Sequence, residues 1–217
     1  MTITHHPTDE TLMRYAAGTI GAGPAIVVGA HVSACPHCAE AVRTFEALGG
    51  AILEQTEPTA LSADALAKTL ARIDAEGKRE ASGDNHSQPI VIDGVRLPDT
   101  LKGCEIRRWR WIGPGIHMSR VGVPHDPEAN LILLKVGPGR ALPDHGHVGT
   151  ELTYIVSGSY TDALGQFTPG DIADVDEHVE HQPIVDRDGE CICLAAVEGK
   201  MRFNSLIGRM LQPIFGI

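Results

Sequence analysis

The sequence predicts an α+β multidomain chain, a small N-terminal helical bundle followed by an antiparallel β-barrel of jelly-roll type. Three observations lead there. Apolar residues recur at helical spacing up to about residue 76. From Ile90 onward the chain changes to short β-prone runs separated by Gly, Pro and Asp, the pattern of a sandwich or barrel. Between the first helices stands His31 to Cys38, HVSACPHC, which sets one imidazole and two thiols at His-x3-Cys-x2-Cys spacing.

The N-terminal part reads as four helices over residues 1–76. Thr8 or Asp9 caps the first, Glu10 to Ala17, which Gly18 ends; Leu12, Tyr15 and Ala16 give it an apolar face. Gly21-Ala-Gly23 turns into a second, which carries Ile26, Val27 and Ala30 and reaches His31. The third starts at Pro36 and runs through Ala41, Phe45 and Leu48 to Gly49-Gly50. Ser62 caps a fourth, Ala63 to Glu76, whose Leu66, Leu70 and Ile73 form one stripe. That stripe either packs on its own bundle or enters a groove on another protein.

On such helices His31 and Cys35 lie one turn apart, and Cys38 follows at the next turn after Pro36. Three ligands converge, and thiolate with imidazole suits Zn2+ best among the common divalent metals. A structural zinc site needs a fourth, and His6 or its neighbour His5 supplies it from about 25 residues upstream. The plain alternative is a buried Cys pair beside an incidental His. So small a bundle has little core, and a zinc clip contributing about 10 kcal/mol or more decides whether it folds.

Residues 77–89 are polar, with two Gly and a Pro, and read as a flexible linker. The barrel part, residues 90–200, offers strands at Glu105 to Trp111, Ile116 to Val121, Leu131 to Val136, Glu151 to Ser157, Asp171 to Val175 and Cys191 to Val197. Trp109 and Trp111 share a face by period 2. Extended backbone also points His145, His147 and Glu151 to one side. Cys191 and Cys193 face one way, about 7 Å apart, long for a disulfide, and read as a pair of buried thiols. The tail, residues 201–217, is apolar with two basic residues and packs on the barrel or the helices.

Composition bounds the function. The net charge is -10, and the first 76 residues hold four basic against nine acidic side chains. That balance disfavours direct nucleic-acid binding and a zinc-containing DNA-binding module. No window approaches the 18 or so apolar residues of a membrane span, and the start, MTITHHPTDE, lacks a signal peptide's basic and apolar regions. The expectation is a cytoplasmic protein without membrane contact. Five cysteines there read as metal ligands, redox thiols or packing.

Two resemblances sharpen the reading. Gly139-x5-His145-x-His147-x3-Glu151-x6-Gly158 resembles the first motif of the cupin superfamily, and Pro169-Gly170-Asp171 its second turn. That resemblance implies a last ligand about ten residues on, His181 or its competitor His178. Three imidazoles and a carboxylate hold Zn2+ in a closed site, or Fe, Mn or Ni with open positions. Over the whole chain, His5-His6, Tyr15 to Gly18, His31, Cys35, Cys38, Arg202 to Ser205, Gln212, Pro213, Phe215 and Ile217 resemble the ChrR group of zinc-binding anti-sigma factors. The resemblance implies an extracytoplasmic-function sigma factor as partner, His6 as ligand, zinc at two sites per chain, and release on singlet oxygen or related oxidative stress. The thiols Cys191 and Cys193 have equivalents in that group, and the resemblance implies a role in redox sensing for them. It also implies a regulator, not an enzyme; the competing reading is a metal-dependent, dioxygenase-like cupin enzyme with a small zinc domain for regulation or oligomerisation.

Overall fold

Four helices precede the sheets in the structure, a computed structural model that describes residues 2–76, 88–143, 145–179 and 181–203. Helix α1 (Asp9–Ala16) is capped by Thr8, whose hydroxyl accepts from the Thr11 amide at 3.2 Å. Helices α2 (Ala22–Ala34) and α3 (Pro36–Glu54) meet at Cys35, whose extended backbone ends one and starts the other. Gly49 and Gly50 do not end α3 as the sequence suggested. Neither adopts a positive φ, and a glycine costs a helix only about 1 kcal/mol. Helix α4 (Ala65–Glu76) leaves Leu66, Leu70 and Ile73 72%, 52% and 59% exposed.

Strands follow in chain order. β1 (Val91–Ile92) and β2 (Val95–Arg96) form a hairpin whose Asp93-Gly94 turn has both residues at positive φ, 52° and 79°, as a tight right-twisted hairpin requires. After a 3-10 turn at Asp99–Leu101 come β3 (Glu105–Ile106), β4 (Arg110–Gly113), β5 (Ile116–Val123), β6 (Asp126–Val136), β7 (His145–Val148) and β8 (Glu151–Ser157). The chain continues through β9 (Tyr160–Asp162), β10 (Gly165–Phe167), β11 (Ile172–Val175), β12 (Ile184–Val185), β13 (Cys191–Val197) and β14 (Lys200–Phe203). The large antiparallel sheet has the order β11-β8-β13-β6-β5-β3, with β4 also paired to β5. A smaller sheet, β10-β9-β12, and the pair β7-β14 accompany it.

The run from Glu105 to Trp111 is two strands, not one. Between the pairs Ile106↔Val121 and Arg110↔Met118 the register slips by one residue, which breaks the alternation. Trp109 therefore lies half-buried under the Lys135 ammonium, 5.1 Å from its ring centre, whereas Trp111 is 67% exposed. The tail begins as β14, with Met201 opposite His147 and Phe203 opposite His145. Residues 204–217, and 77–87 of the expected linker, lie outside the described residues.

All seven residues of β13, CICLAAV, are buried because both faces of the sheet are covered there. Cys191 and Cys193 turn inward with Val136, Ile155, Tyr160 and Phe167. Leu194 and Ala196 turn outward with Leu131, Leu133, Leu152 and Tyr154, and on that outer face lies α2 with Val27 and Val28 fully buried. Helix α2 is apolar all round because it is flanked by α1 and α3 on one side and the sheet on the other. At Gly29 an added Cβ would sit 3.1 Å from the Tyr15 hydroxyl and 3.2 Å from the Thr100 methyl, so a larger residue would push these neighbours outward. Helices and barrel thus share one core. Leu131→Ala, in the middle of it, is expected to destabilise by about 2–5 kcal/mol and to lower the unfolding of helices and sheet together. Thermal melts followed at a helical and a sheet wavelength check this; separate transitions would contradict a shared core.

Candidate metal centres

His31 lies in the last turn of α2, Cys35 occupies the α2–α3 junction and Cys38 lies in the first turn of α3, so the sharp bend at Cys35 folds the three donors toward each other. His6 arrives from the extended segment before α1. One donor atom from each of the four residues lies within 4.8 Å of all the others. His31 Nε2 is 3.2 Å from Cys38 Sγ, and His6 Nδ1 is 3.5 Å from Cys35 Sγ and 3.4 Å from Cys38 Sγ. A tetrahedral ion with ordinary zinc–sulfur and zinc–nitrogen bonds would set nitrogen and sulfur about 3.5 Å apart, so the donors fit that ion. His31, Cys35 and Cys38 are buried; His6 closes the site from the rim. His37 points outward, its ring 5.2 Å from that of His6.

The surroundings fix which atoms are available. His31 Nδ1 lies 2.8 Å from the Gly170 carbonyl, which can only accept, so Nδ1 carries the proton and Nε2 offers its lone pair to the cluster. Burial lowers the pKa of His31 and, with the His37 ring nearby, that of His6, so both present neutral imidazoles. Burial and the neighbouring Cys35 thiol push Cys38 up to about 12. A divalent cation entering here displaces thiol protons, so its affinity falls as pH falls.

The segment that carries His6 is anchored to the barrel on either side of it. Asp171, fully buried at the start of β11, accepts from the amides of Thr4 (2.7 Å), His5 (3.0 Å) and Thr168 (2.8 Å) and from the Thr168 hydroxyl (2.8 Å). Burial alone would raise this carboxyl; the donors from Thr4, His5 and Thr168 hold it below the ordinary range. Further along, the Thr8 amide and hydroxyl both donate to Asp174 at 2.9 Å. The His5 ring stacks on Phe167 at 4.1 Å, away from the cluster, and the Phe167 ring stacks on Tyr160 at 4.9 Å.

A second set of donors lies inside the barrel. Glu151, Thr153, Tyr160, His181, Cys191 and Cys193 line a small cavity of ≈ 20 Å³, room for about one water-sized body. His181 Nδ1 is 3.0 Å from Asp162 Oδ2 with both side chains almost fully buried, so the carboxylate fixes the orientation of the ring. Burial would raise the Asp162 carboxyl, but His181 and the Leu164 and Gly165 amides hold it down. His178 is instead 82% exposed beside Glu177. The backbone of β7 places His145 and His147 two residues apart on one strand; their side chains lie outside the described residues. Asp162 and Asp171 escaped the sequence reading as functional groups. Asp162 sits in a three-residue strand 19 positions from His181, and Asp171 was legible only as part of a turn.

Cys191 and Cys193 have pKa values raised by burial, that of Cys191 to about 12 from an ordinary 9.0. Because these thiols are less acidic folded than unfolded, the stability they contribute is complete below pH 9 and is lost as pH rises toward 12. At neutral pH neither is expected to react with iodoacetamide unless the chain is first denatured. Mass-spectrometric mapping of the alkylated cysteines checks this, and rapid native labelling of either would contradict the closed cavity.

Comparison with known proteins places this geometry. The family described as the ChrR Cupin-like domain matches residues 99–199, from the 3-10 turn to just past β13. Anti-sigma-E factor ChrR of Cereibacter sphaeroides is 38% identical over 222 residues, covering 100% of both chains. The chain belongs to the ChrR family. A chain in the crystal structure of Rhodobacter sphaeroides SigE in complex with the anti-sigma ChrR matches with a TM-score of 0.71 and 33% identity, over 91% of this chain and 100% of that one. The ChrR likeness therefore takes in the helices with their His2Cys2 cluster as well as the cupin-like barrel. Among the described residues of this ChrR-family chain no single helix is long and apolar enough to cross a membrane; α2 and α3 pass that test only together and are bent by 118°.

Proposed function

We propose that this chain is a cytoplasmic anti-sigma factor. It binds an extracytoplasmic-function (group IV) sigma factor, keeps it from RNA polymerase, and releases it when the cupin-like barrel senses singlet oxygen or a related oxidative stress. The fold match to the SigE–ChrR complex carries the reading. The exposed stripe Leu66, Leu70 and Ile73 on α4 supports it, because so apolar a helix face gains from being covered.

Zinc on His6, His31, Cys35 and Cys38 would brace the surface that meets the sigma factor; two thiolates and two imidazoles are a structural zinc donor set. A second metal on His145, His147, Glu151 and His181 would occupy the barrel cavity, as zinc or as Fe, Mn or Ni. The Asp162–His181 bond supports that assignment, since a carboxylate on one ring nitrogen makes the other a better and better-aimed ligand. Cys191 and Cys193 are the thiols a redox signal would reach there, and burial makes their oxidation wait on opening of the cavity.

The test mixes the zinc-loaded full chain with its sigma factor. A stable complex on size-exclusion chromatography, loss of sigma-dependent transcription in vitro, and its recovery under photogenerated singlet oxygen are expected. Folded, zinc-loaded protein that forms no complex would refute the anti-sigma reading, and a complex unmoved by oxidant would refute the sensing.

A further inference from the structure

His31 and the residues flanking His6 are tied to the barrel. His31 bonds through Nδ1 to the Gly170 carbonyl at 2.8 Å. The residues just before His6 are held by Asp171, and the helix cap just after it by Asp174. The Ile172 amide also donates to the His5 carbonyl at 3.3 Å, so residues 4–8 run along the exposed edge of β11. Gly170 has φ +99°, and a Cβ there would come within 2.9 Å of Ile3, so the turn and the N-terminal segment are fitted to each other. The same turn reaches the other way. Phe167, one residue before Thr168, stacks between His5 and Tyr160, and Tyr160 lines the cavity that holds Glu151, His181, Cys191 and Cys193.

We propose that Asp171 is a positioning residue for the N-terminal metal, and that the barrel turn Thr168–Asp171, through Asp171 and the Gly170 carbonyl, holds His6 and His31 in ligating position. The inference rests on the reading of His6, His31, Cys35 and Cys38 as a metal site. Each oxygen of the Asp171 carboxylate is in use: Oδ1 accepts from Thr4 and His5, Oδ2 from Thr168. No neutral side chain of this shape can replace it. Asparagine keeps one acceptor and turns an NH2 group against the remaining N–H donors. A shift of this turn moves the two histidines together, which gives the barrel a mechanical hold on a metal centre outside it. Contacts of this kind around metal ligands change affinity by about 10–100-fold.

The experiment uses the full chain, loaded with zinc or with Co2+, and two variants. Asp171→Asn removes the anchor before His6; Asp174→Ala removes the one after it from a side chain at the barrel's edge, and serves if Asp171→Asn does not fold. Zinc transfer to a chelating dye is expected to be about tenfold or more faster in both, with unchanged sheet circular dichroism and unchanged metal stoichiometry before the chelator is added. The Co2+ form should show thiolate-to-cobalt absorption in the parent and a displaced d–d envelope in the variants. A parent that binds Co2+ without a thiolate band overturns the metal reading itself. A parent with the band, beside folded variants that release zinc within twofold of its rate, overturns the role of Asp171 and its turn.

Discussion

Cys38→Ala is expected to empty the N-terminal centre and abolish capture of the sigma factor by the full chain. Helix α3 is the reason for so large an effect. Of its 19 residues only Cys38 and Val42 are buried, so apolar packing alone holds it poorly. Structural zinc contributes on the order of 10 kcal/mol or more in small domains, which far exceeds what one buried valine supplies. Removing one of two thiolates leaves three donors and a cavity where the sulfur stood. α3 then loses its link to α2 and to the segment carrying His6, and the surface built from α1 and α3 disperses. Helix α2 stays, because Val27 and Val28 are buried against the sheet independently of the metal. Metal analysis, far-ultraviolet circular dichroism and size-exclusion chromatography with the sigma factor check the outcome together. A metal-free variant that still captures its partner would make the centre peripheral to binding. Cys104→Ala, at a half-buried thiol that belongs to neither set of donors, is the control and should change neither property.

Much of this centre was legible because it is local. His31, Cys35 and Cys38 fall within eight residues, and helical geometry brings them together whatever the rest of the chain does. His6 was different: spacing alone does not separate it from His5. What separates them is Asp171, 166 positions away, which fixes the His5 amide and leaves the His5 ring to stack on Phe167. The strands from Glu151 and Cys191 were legible as continuous β-prone runs, yet β9, β10 and β12 are two or three residues long and too short to carry a period. The shared core was partly written in α2, whose apolar residues cover its whole circumference. Such a helix must be buried on all sides, but its sequence does not say that the far side is a β-sheet.

The stripe on α4 should carry the largest effect on binding that leaves the protein otherwise intact. Changing Leu66 and Leu70 together to glutamate is expected to weaken sigma-factor binding by about 100- to 1,000-fold, from two anchor positions worth about 2 kcal/mol each. Stability should move by no more than about 0.5 kcal/mol, because both side chains are mostly exposed in the free chain and glutamate is a good helix former. This separates α4 from the metal centre, where loss of binding comes with loss of metal and of structure around it. The same double variant should keep its full zinc content and its parent melting temperature. Leu48 and Ile52, exposed one turn apart on α3, offer a second apolar surface, and glutamate at Ile52 tests whether the partner covers both helices or α4 alone. Isothermal titration of the sigma factor into each variant reads the difference directly. Parent-like affinity in the Leu66 and Leu70 variant would mean that the sigma factor is held by the metal-braced helices without α4, and the exposed stripe would then belong to some other contact.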